Sequence, residues 1–181
     1  MHGRRRTAAP FSWQPEDEAG AEAAAARDER TAGHTCGLAS AVEFLGLLRL
    51  RQWRFADAYD CFDEAYAVLD GIGPDDEGAA DVPRARALLQ RHRGRPLRGL
   101  GRLDEAQEHA RRALAAFRAN GEAYNTARAL TDLAEILLAA EEPAAALPLT
   151  DKAIRILSEE NADQHVEYLR RLRERCSGPR E

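Results

Sequence analysis

The chain has 181 residues, a formal net charge of −5, and 44% hydrophobic but only 6% aromatic residues. That length suits one domain, and the mild charge argues against wholesale nucleic-acid binding. Alanine and leucine carry most of the apolar character, which favours helices over a sheet, and no stretch is long and apolar enough to span a membrane.

Residues 1–14 show no periodicity and read as a disordered arm. Arg4, Arg5 and Arg6 are not followed by an apolar run, so an export signal is not expected. A helix is predicted over 15–33, with Pro15 at its first position and Glu16, Asp17 and Glu18 in its first turn. Three helical hairpins and an end helix are predicted over 34–176. The first hairpin, about 36–70, has a leading helix near Cys36–Arg51 with Val42, Leu45, Gly46 and Arg49 on one face. Its second helix runs near Phe55–Leu69. The loop Gly71–Asp81, with Asp75, Asp76, Glu77 and Asp81, reads as a solvated break. The second hairpin, about 83–120, has helices near Pro83–Leu100 and Leu103–Ala119, stopped by Asn120 and Gly121. Pro96 is expected to bend the first of these. The third hairpin, about 124–159, has helices near Tyr124–Ala140 and Pro143–Glu159. The end helix, about 163–176, carries Val166, Leu169 and Leu172 on one side, as a terminal cap should. A tail, 177–181, follows.

Small residues recur in register. Gly46, Ala58 and Ala65 are matched by Gly94, Ala106 and Ala113, and again by Ala134, Ala146 and Ala153. The step from Ala65 to Ala113 is longer than that from Ala113 to Ala153, and the excess falls in the acidic loop. Both steps lie within the range of roughly 20–50 residues that marks a repeat architecture. The spacing also places one small residue on each helix of a hairpin at the same crossing, where two backbones approach closely. Phe62 and Leu137 are placed to fill the gaps beside those crossings.

On these residues the segment from Cys36 to Cys176 resembles the tetratricopeptide repeat family, with repeats longer than the family's unit of about 34 residues. GRLDEA (Gly101–Ala106) and YNTARALTDLAEILLA (Tyr124–Ala139) further resemble the C-terminal repeats of actinobacterial regulators of the antibiotic-regulator (SARP) and NB-ARC ATPase types. The chain has no GxxxxGK phosphate loop and no recognisable DNA-binding helix pair. The resemblance implies an all-α, right-handed α-solenoid of three hairpins with flanking helices, whose first helices line a concave groove.

Arg91, Arg95 and Arg98 fall at i, i+4 and i+7 on such a first helix. Arg171 and Arg175 repeat the register of Arg91 and Arg95 two repeats later, with Glu135 between them and Arg128 nearby. These seven residues are the expected partner-binding groove, suited to an acidic peptide or a C-terminal carboxylate. A solvated face partly neutralised by Glu135 is the plainer alternative. Trp53, Phe55, Tyr59 and Phe62 read as core before interface. His34 and Cys36 lack further donors for a metal. His92 and His109 stand alone, and no spacing brings a nucleophile to a base.

The expected function is therefore a protein- or peptide-binding scaffold or sensor, part of a transcriptional or signalling regulator. It is not an enzyme and needs no cofactor or metal. Two alternatives stay open: a homodimerisation module, and an enzyme whose site is invisible in sequence. The expected partner is a protein or peptide, acidic by charge, and not nucleic acid or membrane. Three cysteines, Cys36, Cys61 and Cys176, with no CxxC pair point to reduced thiols and a cytoplasmic protein.

Overall fold

The computed structural model describes residues 35–74 and 79–177. The arm and helix expected over 1–33, His34, the acids at 75–77 and the last four residues of the tail lie outside the described residues. The described residues form seven α-helices in order: α1 (Thr35–Arg51), α2 (Phe55–Asp70), α3 (Val82–Gly99), α4 (Leu103–Ala119), α5 (Ala123–Ala139), α6 (Pro143–Glu159) and α7 (Asp163–Ser177). A 3₁₀ turn, Ala79–Asp81, leads into α3, and the described residues contain no strand. Each helix packs on the next. In addition α1, α3, α5 and α7 touch one another in sequence, whereas α2, α4 and α6 do not. The odd helices therefore form the inner layer of an all-α solenoid and the even helices its outer layer.

One turn geometry builds most of this array. Trp53, Gly101, Gly121, Glu141 and Asn161 all have φ between 56° and 75°. At each, the next residue's N–H reaches back to a carbonyl five residues earlier: Arg54 to Arg49, Arg102 to Leu97, Glu122 to Phe117, Glu142 to Leu137 and Ala162 to Leu157, at 2.9–3.0 Å. This left-handed cap satisfies carbonyls that the helix end would otherwise leave bare. From α4 to α6 each helix has 17 residues and a connection of the same length, so the turns at Gly121, Glu141 and Asn161 recur at an even step.

The small residues lie where backbones close. A Cβ on Gly46 would stand 2.6 Å from the Phe62 ring, and one on Gly94 would stand 3.3 Å from the Ala106 carbonyl. Ala58, Ala106, Ala134 and Ala146 are fully buried. Pro96 does not break α3, which continues to Gly99, and its carbonyl still accepts from Leu100 N–H at 2.9 Å.

Two apolar cores result. One runs continuously from α3 to α7 through Leu97, Phe117, Leu130, Ile136, Leu157 and Leu169. The other joins α1 and α2 to α3 through Val42, Phe62, Leu69, Val82 and Leu89. Between them α3 carries polar side chains. Arg93, where a later repeat has leucine, pairs with Asp63 and lies 4.2 Å from the centre of the Tyr66 ring. Arg86 bonds Asp70 at 2.7 Å, and Gln90 accepts from His109 Nδ1 at 2.6 Å.

Candidate functional site

The groove floor is a buried polar chain across three inner helices. Arg91 on α3 donates through Nη2 to His92 Nε2 at 2.9 Å, and its Nε lies 3.4 Å from Asp132 Oδ2 on α5. Since guanidinium only donates, His92 Nε2 must be the acceptor, and the ring proton sits on Nδ1. That atom faces Glu43 Oε1 on α1 at 2.8 Å. Burial pushes the His92 pKa down, against the nearby Glu43 carboxylate, which favours the charged ring, so the ring is neutral near pH 7. Burial also lowers the Arg91 pKa, although Asp132 opposes it.

Above this floor the face is charged and partly open. Glu135 on α5 accepts from Arg98 Nη1 at 2.5 Å and from the Tyr168 hydroxyl on α7. Burial, and then the Glu135 carboxylate, push the Tyr168 pKa up to about 12, so it stays a donor. Arg128 Nη1 donates to His165 Nε2 at 3.0 Å and to the Tyr124 hydroxyl at 3.2 Å. Burial and the adjacent Arg128 lower the His165 pKa. Arg95 and Arg175 make no hydrogen bond or ion pair among the described residues.

Two clefts meet along this face. The first, about 560 Å³, lies at the C-terminal ends of the inner helices, with Arg51, Arg95, Arg98, Glu135 and Arg175 against an apolar side of Leu50, Trp53, Phe55 and Ala139. The second, about 310 Å³, shares Arg95, Arg98 and Glu135 and continues past Arg128, Asp132, His165 and Tyr168. The first is lined by four arginines and one glutamate whose charge Arg98 already meets. It is a basic cleft with an aromatic wall.

The seven residues expected in the groove thus divide. Arg95, Arg98, Arg128 and Glu135 border one or both clefts, and Arg175 borders the first. Arg91 does not line it: at 7% exposure it is a structural cation of the floor. Arg171 lies outside both clefts, paired with Glu167 at 3.3 Å. The two share a register, but α3 is covered by inner helices on both sides and the end helix α7 on one only. Glu135, between Arg95 and Arg175 in the register, lines the first cleft with both and pairs with Arg98 and Tyr168.

The aromatic cluster also divides. Phe62 is fully buried, whereas Trp53 is 79% exposed at the cleft mouth. The signal was present in the offset that carries Ala65 onto Ala113. It aligns Trp53, Arg54 and Phe55 with Gly101, Arg102 and Leu103 and so places Trp53 in a turn. Tyr168 and His165 had no such signal, because they join the groove only by packing of α7 on α5.

Residues 84–159 match the tetratricopeptide repeat family. No curated protein matches the chain significantly. Among solved structures the fold is similar to BtubC (BKLC) from P. vanneervenii, with a TM-score of 0.67 and 18% identity over 85% of this chain and 62% of that one. The chain therefore spans less than two thirds of that neighbour's length. A TPR-like protein from Chlorobium tepidum is also similar, with a TM-score of 0.61 and 19% identity over 75% of this chain and 91% of that one. At these identities the likeness concerns the fold. None of the described helices is long and apolar enough to cross a membrane.

Proposed function

We propose that the chain is a protein-interaction scaffold whose inner groove takes an acidic segment of another protein. The repeat match and the solenoid fold support an interaction module. The observation that carries the acidic specificity is the state of Arg95 and Arg175. Both border the first cleft, and neither has a carboxylate partner among the described residues. Guanidinium groups so placed offer forked hydrogen bonds to carboxylates with little rearrangement. In a regulator, occupancy of this groove would be the sensed event.

The test is binding of a labelled glutamate-rich peptide to the full chain by fluorescence anisotropy. Replacing both Arg95 and Arg175 by Glu is expected to weaken binding by roughly tenfold or more, and binding to the parent should fall as salt rises. Arg91 is left intact, because a carboxylate there would be buried beside Asp132 and near Glu43 and would disturb folding. Unchanged affinity in a normally folded double variant would overturn the proposal.

A further inference from the structure

Trp53 occupies a position that suits it poorly. Its φ is 63°, a left-handed conformation that a bulky side chain adopts only at a cost. The equivalent turns use Gly101, Gly121, Asn161 and the polar Glu141. Burial does not offset the cost, since the indole is 79% exposed. Exposed large aromatics held in strained backbone are a pointer to function. Beneath it the wall is firm. The Phe55 ring lies so close over Gly99 that a Cβ there would meet it at 2.6 Å. Trp53 meets Phe55 edge-on, with ring centres 6.0 Å apart.

The same cleft holds Leu50 on its apolar side and Arg51, Arg95 and Arg175 on its charged side. Arg51, like Arg95 and Arg175, makes no ion pair among the described residues. An apolar anchor point and cations awaiting anions therefore lie in one hollow, within the size of an ordinary ligand pocket, roughly 300–1,000 Å³.

We infer that the first cleft is a bipartite site for an acidic segment carrying one large apolar side chain, which packs on Trp53 and Phe55 while flanking carboxylates meet Arg95 and Arg175. This rests on the reading of the groove as a peptide site and adds the sequence character of the peptide. Charge complementarity selects an acidic partner over a basic one. The exposed indole selects a partner that can cover it, which a uniformly acidic stretch cannot.

Two short labelled peptides test it, both rich in glutamate and alike except that one carries leucine where the other has alanine. The parent chain should bind the leucine peptide roughly tenfold more tightly, as a well-buried anchor provides. Trp53→Gly should abolish that preference, bringing the leucine peptide's affinity down to that of the alanine peptide. It should also melt no lower than the parent, because glycine favours the turn's φ. Loss of preference without loss of stability is a result that a merely structural tryptophan would not give. Equal binding of both peptides by the parent and the variant would overturn this inference and leave the acidic groove standing. If Arg95→Glu with Arg175→Glu also has no effect, both readings fall. Concentration-dependent dimers of the parent that Trp53→Gly dissociates would make a second copy the occupant and overturn the peptide.

Discussion

At the residue scale the groove is shaped by which charges are already met. His92 illustrates it. Its ring accepts from Arg91 and faces Glu43, linking α1 to α3, while Arg91 carries the link to Asp132 on α5. Burial holds its pKa below 6.5. As pH falls through that value the unfolded chain takes up a proton that the folded chain resists. The stability contribution is thus complete above about pH 6.5 and is lost progressively below it. His109 and His165 are lowered in the same direction and add to the slope. His92→Gln keeps an acceptor for Arg91 and a donor towards Glu43 without the titration. Its melting temperature is expected to stay near the parent's at about pH 7.5 and to fall less steeply towards about pH 5. Equal acid slopes, measured by thermal unfolding across that range, would place the titration on other groups.

At the element scale the controlling unit is the helix with its left-handed cap. Gly121 sits at φ 69° and Glu141 at φ 61° in the equivalent turns that close α4 and α5. Gly121→Val is expected to destabilise by about 1–2 kcal/mol, the cost of a branched side chain in that region. Glu141→Gly is expected to stabilise by about 0.5 kcal/mol, the relief being offset in part by the freer unfolded chain. Denaturant unfolding of the pair should therefore give opposite signs, and equal signs would show that the turn does not set the stability of these helices. The crossings were legible in sequence, because Gly46, Gly94 and Ala134 must be small for any partner helix to approach. Which polar residues would be swallowed was not. Arg91 and Arg95 look alike along the chain, and only the flank on which α5 packs makes one the floor and leaves the other in the cleft. In the same way Phe55, Tyr59 and Phe62 share helical spacing, whereas Trp53, just ahead of them, sits in the turn and points outwards.

At the scale of the whole molecule the two apolar cores meet at α3, where the buried apolar contact is interrupted. From α3 to α7 the contact is continuous and apolar. Where α1 and α2 dock, a small apolar patch is bordered by Glu43 with His92, Asp63 with Arg93, and Asp70 with Arg86. Repeat arrays owe their stability to interfaces between neighbours, so the layer held by the smaller apolar core opens first. The amides of α1 and α2 are therefore expected to exchange hydrogen faster than those of α4, α5 and α6, through an opening that leaves the larger core intact. The first cleft spans this junction, with Leu50, Arg51, Trp53 and Phe55 on one side and Arg95, Arg98, Glu135 and Arg175 on the other. A ligand held by both sides binds only the closed form, so it must slow that opening in proportion to its occupancy. Hydrogen exchange with the leucine-bearing acidic peptide present should show added protection concentrated in α1 and α2, and little in α6. Uniform exchange across all helices in the free chain would remove the junction as a weak layer, and protection confined to α5 and α7 would move the peptide to the second cleft.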